Sequence, residues 1–468
     1  MKKIGKYLII SILLLLGLAC IGVLYIFFVP GSSLFNITYI SYNENHFSQT
    51  IDASSINTIE MNSNNYKIKV ISTAEDTISV KVHCATSGFV FTQNKNLTLT
   101  HSVEAGKLTF DITEPYGAAL NNNSYIELRI PEDTTYNMEF NNQHAETNLN
   151  HESLTINKLS YSTHSGNFNL NNGSILGTMD LNLSNAVFTI LPGVTTNSNK
   201  VILKLDSGKF NAGSSVFGEL NIVENVKGNI IAQELTSLTG NIKLTGGRIT
   251  ITTLDTINYT SSDTIITINE LTGLGNILLT NSGSVNIGTL NINSTIETTN
   301  GNITIDQANC EITLLKSTNG NINVKSATKR INAVTVYGNI DITFDESAES
   351  YAVNSANKFI HATTENGKIT VNNAEHIELS ITRNGRAYVD MKNLYGSNYI
   401  LGNIGEVSAV INKECSYELI TNTNSGNISV DLLHLTSGLT SGPVNCTASS
   451  NKLNITTTAG NIIVKDNH

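Results

Sequence analysis

Apolar and polar residues alternate along most of the chain from about Ile56 onward, in runs such as KIKVIS at Lys67, TISVKVHC at Thr77, KLTFDIT at Lys107 and YIELRIPED at Tyr125. A period of two puts successive side chains on opposite faces, the signature of β-strands. Further along, a six-residue unit takes over: a small or polar residue, Gly, Asn or a substitute, then apolar and polar residues in alternation. It reads SGNFNL at Ser165, SGKFNA at Ser207, TGNIKL at Thr239, LGNILL at Leu274, SGSVNI at Ser282 and NGNITI at Asn300. It continues as NGNINV at Asn319, YGNIDI at Tyr337, NGKITV at Asn366, NGRAYV at Asn384, SGNISV at Ser425 and AGNIIV at Ala459. The candidate turn glycines are therefore Gly166, Gly208, Gly240, Gly275, Gly283, Gly301, Gly320, Gly338, Gly367, Gly385, Gly426 and Gly460. The intervals Gly283–Gly301, Gly301–Gly320, Gly320–Gly338, Gly367–Gly385 and Gly442–Gly460 are all 18 or 19 residues, which sets a rung length.

Each unit supplies a glycine able to take a positive φ at a turn, followed by a strand whose Ile, Val, Phe and Leu face one way. One such strand cannot bury its apolar face alone. Rungs must stack and pair backbones, with Thr, Asn and Ser left outside, and the Asn beside each Gly is placed to stack from rung to rung. The expected fold is all-β, a parallel β-solenoid or β-helix-like repeat array. The final unit, NIIVKDNH, reads as an abrupt end with a strand edge open to end-to-end self-association.

The β rhythm is absent from Tyr7 to Val29, YLIISILLLLGLACIGVLYIFFV, 23 residues without a charge. About 20 helical residues cross a hydrocarbon core, so this stretch reads as one N-terminal transmembrane helix. Lys2, Lys3 and Lys6 precede it and the next basic residue is Lys67, which orients the N-terminus to the cytoplasm and the rest outside the cell membrane. A cleaved signal would have a shorter apolar core and a small-residue cleavage site. Gly17-Leu18-Ala19-Cys20 falls short of a lipoprotein box, because it lacks an aliphatic residue three before the cysteine and the apolar run continues to Val29. The expected organisation is a basic tail over 1–6, the helix over 7–29, a polar stalk over 30–55 and a first β section over 56–150. A repeat array follows over 151–350 and continues over 351–468, with a slip in spacing between Gly338 and Gly367.

Composition narrows the function classes. With 38 acidic against 28 basic residues the net charge is −10, and no Lys/Arg cluster follows the first six positions, which argues against nucleic acid. The five cysteines, Cys20, Cys84, Cys310, Cys415 and Cys446, have no metal-ligand spacing; Cys415 and Cys446 would pair only if the fold brings them together. No cofactor or metal set emerges: His144 and His151 read as exposed turn residues, and Asp341, Asp345, Glu346 and Glu349 as a solvated loop.

In pattern order the chain resembles the adhesin-type β-strand-repeat family, bacterial extracytoplasmic domains of unknown function also described as toastrack domains. The likeness lies in the opening strand pair INTIEMNSNNYKIKVIS from Ile56, the strand ending in Ile-Pro within IELRIPEDTTYNMEF from Ile126, and then the SGN-type units. It covers roughly Ile56 to Lys465, and the family brings no established catalytic residues to carry over. The resemblance implies a surface module that binds a protein or glycan on the outside, and not an enzyme. Two other classes compete: a sensing or regulatory partner in envelope homeostasis, and a polysaccharide-active β-helix enzyme. The enzyme class would call for aromatic platforms beside carboxylates paired at the rung period, whereas Trp is absent and aromatics make up 6% of residues.

Overall fold

The computed structural model describes residues 11–22 and 38–467, apart from 91–97, 114–117, 121–123, 151–154, 172–173, 192–193, 195–196, 199, 227, 240–241, 245–246, 255–256, 262, 274, 280, 348–357, 434, 436–439 and 447–448. Residues 11–22 are α-helical, and everything else regular is β-strand. The chain divides into two compact units, Met1–Leu176 and Gly177–His468.

In the first unit the strand Thr58–Ser63 lies between Lys107–Thr113 and Tyr136–Asn142, parallel to both. Its successor Lys67–Thr73 lies likewise between Tyr125–Pro131 and Thr147–Leu149. Each rung thus crosses two ladders, and its apolar positions, among them Ile59, Met61, Ile68 and Val70, are buried. Antiparallel strands close the edge. Thr98–Glu104 covers Lys107–Thr113, and Thr77–Val90 covers Tyr125–Pro131 and is covered in turn by Thr38–Asp52. The stretch over 30–55, expected as a stalk, is therefore a strand across Thr38–Asp52. Its polar sequence suits a sheet edge, where one side of the ladder meets water.

In the second unit the rungs also cross two parallel ladders. One inward column can be followed residue by residue: Val285, Ile303, Ile322, Ile340 and Ile369 pair in succession, and then Ala387, Val407, Ile462 and Ile428. All but Ile428 are buried. A β-branched side chain stacked on its copy above and below fills the pleat without voids, and each one buried contributes roughly 1.5–3 kcal/mol. The ladder runs on across the slip in spacing, since Ile340 pairs with Ile369 directly.

The order of rungs at the C-terminus departs from the sequence. Lys452–Ala459 and Ile462–Asn467 insert between the rung Ser397–Asn412 and the rung Tyr417–Asp431, pairing with both. The C-terminal strand is therefore internal, and the expected open edge at NIIVKDNH is corrected. The outermost rung is Tyr417–Asp431, covered by the antiparallel strand Gly442–Val444 over Tyr417–Leu419. Its inward Ile428 and Val430 remain half-buried, whereas Ile462 and Val464 one rung in are fully buried.

Of the apolar stretch over 7–29, residues 11–22 form the described helix, and its remainder lies outside the described residues. Among the described residues no helix is long and apolar enough to cross a membrane. The described turns carry Leu13, Leu15 and Ile21 at 60–70% exposure.

Candidate binding surface

The corners of the second unit come from a spacing within the repeat, Ser or Thr three residues before Gly. Thr298 Oγ1 accepts the Gly301 amide at 3.0 Å and donates to the Gly283 carbonyl one rung back at 3.4 Å. Ser317 Oγ accepts the Gly320 amide at 2.8 Å and donates to the Gly301 carbonyl at 2.9 Å. Thr335 and Thr364 donate in the same way to Gly320 and Gly338, both at 3.2 Å. These hydroxyls are buried, and those of Thr298 and Ser317 satisfy a donor in their own rung as well as an acceptor in the one before.

This geometry changes the reason for the glycines. A Cβ at Gly301 would fall on the Gly283 carbonyl, and the same holds for Gly320 on Gly301, Gly338 on Gly320, Gly367 on Gly338 and Gly385 on Gly367. Gly460 sits against Gly405 and Gly426 against Gly460 in the same manner. Among the described predicted positions only Gly283 and Gly426 carry a positive φ, 149° and 155°. Close approach of stacked backbones, rather than a left-handed turn, is what excludes a side chain from Gly301, Gly320, Gly338, Gly367, Gly385 and Gly460. Gly166 and Gly208 meet the carbonyls of Ala145 and Leu183. Gly367 and Gly385 lie inside the continuous strands Phe359–Ala374 and His376–Met391, Gly275 opens the strand Gly275–Leu279, and Gly240 lies outside the described residues.

Beside the glycines runs an amide ladder. Asn302 Oδ1 accepts the Asn321 amide, Asn321 Oδ1 the Asn339 amide and Asn339 Oδ1 the Lys368 amide, each at 2.8 Å. Outward positions on successive rungs pair charges: Lys316 with Glu297 at 3.0 Å, Lys325 with Asp306 at 2.6 Å, and Lys107 with Glu60 at 3.0 Å in the first unit. Lys107 is held above its usual range by its hydrogen bonds to Glu139 and Glu60.

The predicted polar clusters do not converge. Asp345 accepts the Ser347 amide and hydroxyl at 2.8 Å, and these bonds, hydroxyl first, hold it below its usual range in an exposed loop. Glu346 reaches Lys392 at 3.5 Å, Asp341 stands in the strand Ile340–Phe344, and Glu349 lies outside the described residues. His144 is exposed, bonded to Ser165 at 2.7 Å and edge-on to His164; His151 lies outside the described residues. Among the described residues no group of three His, Cys, Asp or Glu side chains could hold a metal ion. Cys415 and Cys446 are free thiols, facing the Lys392 and Tyr417 carbonyls at 3.7 Å each, and burial pushes the Cys415 thiol up to about 11.

The family model described as Toastrack DUF4097 matches residues 56–261 and 248–398. No curated protein matches the chain. A putative cell adhesion protein from Clostridium sporogenes is 10% identical, with 91% of this chain and 100% of that one covered at a TM-score of 0.15. A putative adhesin from Parabacteroides distasonis is 12% identical, with 60% and 97% covered at 0.30. A putative adhesin from Bacteroides fragilis is 11% identical, with 64% and 97% covered at 0.26. Superpositions this loose carry no argument, so the fold rests on the ladders described above.

Proposed function

The chain belongs to the Toastrack DUF4097 family, and on that footing we propose that it is a membrane-anchored surface protein whose β-array acts outside the cell as a binding module without catalysis. Residues 7–29 hold it in the membrane as a single span, with residues 1–6 on the cytoplasmic side. The apolar side chains exposed along the helix at 11–22 support a lipid environment for that segment.

The observation that carries the binding role is the rung-to-rung register of outward side chains. Because parallel rungs pair in register through the repeat, outward residues stand in fixed columns about 4.8 Å apart, a preorganised polar display. The partner on the outside is a protein or glycan. End-to-end pairing with a second copy would use the half-covered rung Tyr417–Asp431, not the C-terminal strand.

The test compares cells displaying the full chain with cells displaying the chain lacking residues 56–468, on surfaces coated with matrix protein, acidic glycan or neutral glycan. Retention that depends on the array supports the reading. Equal retention of both kinds of cell on every surface overturns it.

A further inference from the structure

Several outward cations, Lys316 and Lys325 among them, stand beside a carboxylate on the neighbouring rung. Another column holds two cations with an amide between them. Lys209 pairs in register with Asn229, Asn229 with Arg248 and Arg248 with Ile265, so four successive rungs place two cations, an amide and an aliphatic side chain in line. Ile231, the next outward position on the Asn229 rung, pairs with Asn211 and Thr250. These five residues, Lys209, Asn229, Ile231, Arg248 and Ile265, line an open groove of about 480 Å³. Among the described residues neither Lys209 nor Arg248 has a carboxylate partner, and Ile231 and Ile265 are 38% and 41% exposed where neighbouring columns carry Thr or Asn.

We infer that this groove binds a short anionic saccharide, its acidic groups on Lys209 and Arg248 and a sugar face against Ile231 and Ile265. The two cations are two rungs apart, roughly 9.6 Å along the column, too far for one carboxylate to bridge and suited to an elongated ligand bearing two anionic groups. A guanidinium offers paired donors to a carboxylate or sulfate, and Lys209 a point charge. Asn229 between them both donates and accepts, as a sugar hydroxyl requires. The apolar C–H face of a pyranose covers the exposed isoleucines.

An acidic peptide fits less well. The groove lies on a sheet face whose backbone groups already serve the ladder, so an extended peptide finds no edge to join. Nucleic acid is disfavoured because the groove offers no aromatic side chain on which a base could stack and only two cations for a phosphate backbone.

The site names a ligand class for the binding role proposed above and rests on that reading. The experiment measures binding of a heparin-derived tetrasaccharide to purified full-length protein in low and high salt. Maltotetraose and an oligothymidylate of matched charge are the comparison probes. The charge-assisted bonds predict that a Lys209→Gln/Arg248→Gln variant loses about tenfold or more in affinity and most of its salt dependence. Ile231→Asn lowers affinity without changing the salt dependence, and Lys325→Gln, which removes a paired cation, changes neither. Unaltered affinity in the double variant overturns the assignment, as does equal affinity for the oligothymidylate. If the double variant still adheres as wild type while wild type binds no tetrasaccharide, the saccharide site falls and the surface role stands. If the array proves to be inside the cell while the variant effect persists, the reverse holds.

Discussion

Replacing Gly320 by Ala tests the corner geometry. A Cβ there would overlap the carbonyl oxygen and carbon of Gly301 and stand 2.7 Å from Ser317 Oγ. The clashing atoms are backbone, and the adjacent pairs Ile303–Ile322 and Thr304–Asn323 hold them in register, so they cannot yield as a flexible side chain would. Overpacking of this kind costs about 1–3 kcal/mol. Displacing the Ser317 hydroxyl leaves the Gly320 amide and the Gly301 carbonyl without their buried partner, which adds about 1–3 kcal/mol. Together the two terms predict roughly 2–6 kcal/mol, or at least about 30-fold faster opening of the local rungs. Because rungs depend mainly on their neighbours, the readout is amide hydrogen exchange across Ile303–Ala308 and Ile322–Ala327, not a global melt alone. Gly402→Ala is the matched control. Its Cβ would meet methyl groups of Thr457 and Val407 at 3.3 and 3.5 Å and the Thr456 carbonyl only at an ordinary 3.9 Å, and Gly402 lacks a left-handed φ, so a neutral or slightly stabilising effect is expected. Exchange in Gly320→Ala within twofold of wild type would refute the close-approach argument.

Three further outcomes follow from the same structure. Ser317→Ala should destabilise its rung by about 1–3 kcal/mol while Ser317→Thr is tolerated, since Thr298, Thr335 and Thr364 hold the equivalent positions, and the two are separated by urea titration with exchange readout. Tyr417 is buried, and among the described residues its hydroxyl has no partner, so Tyr417→Phe should leave stability unchanged or raise it by about 1 kcal/mol; a loss of that size would show a missed hydrogen bond. Burial holds His376 below its ordinary value of 6.5 despite the nearby Glu378, with Arg330 adding to the depression. The unfolded chain therefore binds the proton more readily, and protection of the strand His376–Met391 should be constant above about pH 7.5 and fall as the pH drops through 6.5. A flat profile in wild type, or an unchanged slope in His376→Gln, would contradict that sign.

Strand alternation made the ladders legible, and the 18- and 19-residue intervals between Gly283 and Gly338 are indeed successive rungs. The hydroxyl three residues before each corner glycine was also visible, as Thr298, Ser317, Thr335 and Thr364, but alternation draws attention to apolar positions and hides a polar side chain that is buried. The role of the glycines was misread because a positive φ is a local property, whereas close approach depends on a neighbour 18 or more residues away. Rung order at the C-terminus was not legible at all. SGNISV at Ser425 and AGNIIV at Ala459 present nearly identical edges, so nothing local decides which stacks on Ser397–Asn412. Thr38–Asp52 escaped notice because an edge strand needs no continuous apolar face. The binding groove was equally hidden: Lys209 and Arg248 are 39 residues apart and become neighbours only through Asn229.

Display on the outside of the membrane is the claim on which the functional account stands, and limited proteolysis of intact cells tests it most directly. Cells producing the full chain with an epitope appended after His468 are treated with protease, then membranes are isolated and fragments sized by mass spectrometry. The account predicts loss of the epitope and of the array from intact cells, with a membrane-embedded peptide containing residues 7–29 retained. An array and epitope protected in intact cells, and digested only after lysis, would contradict it.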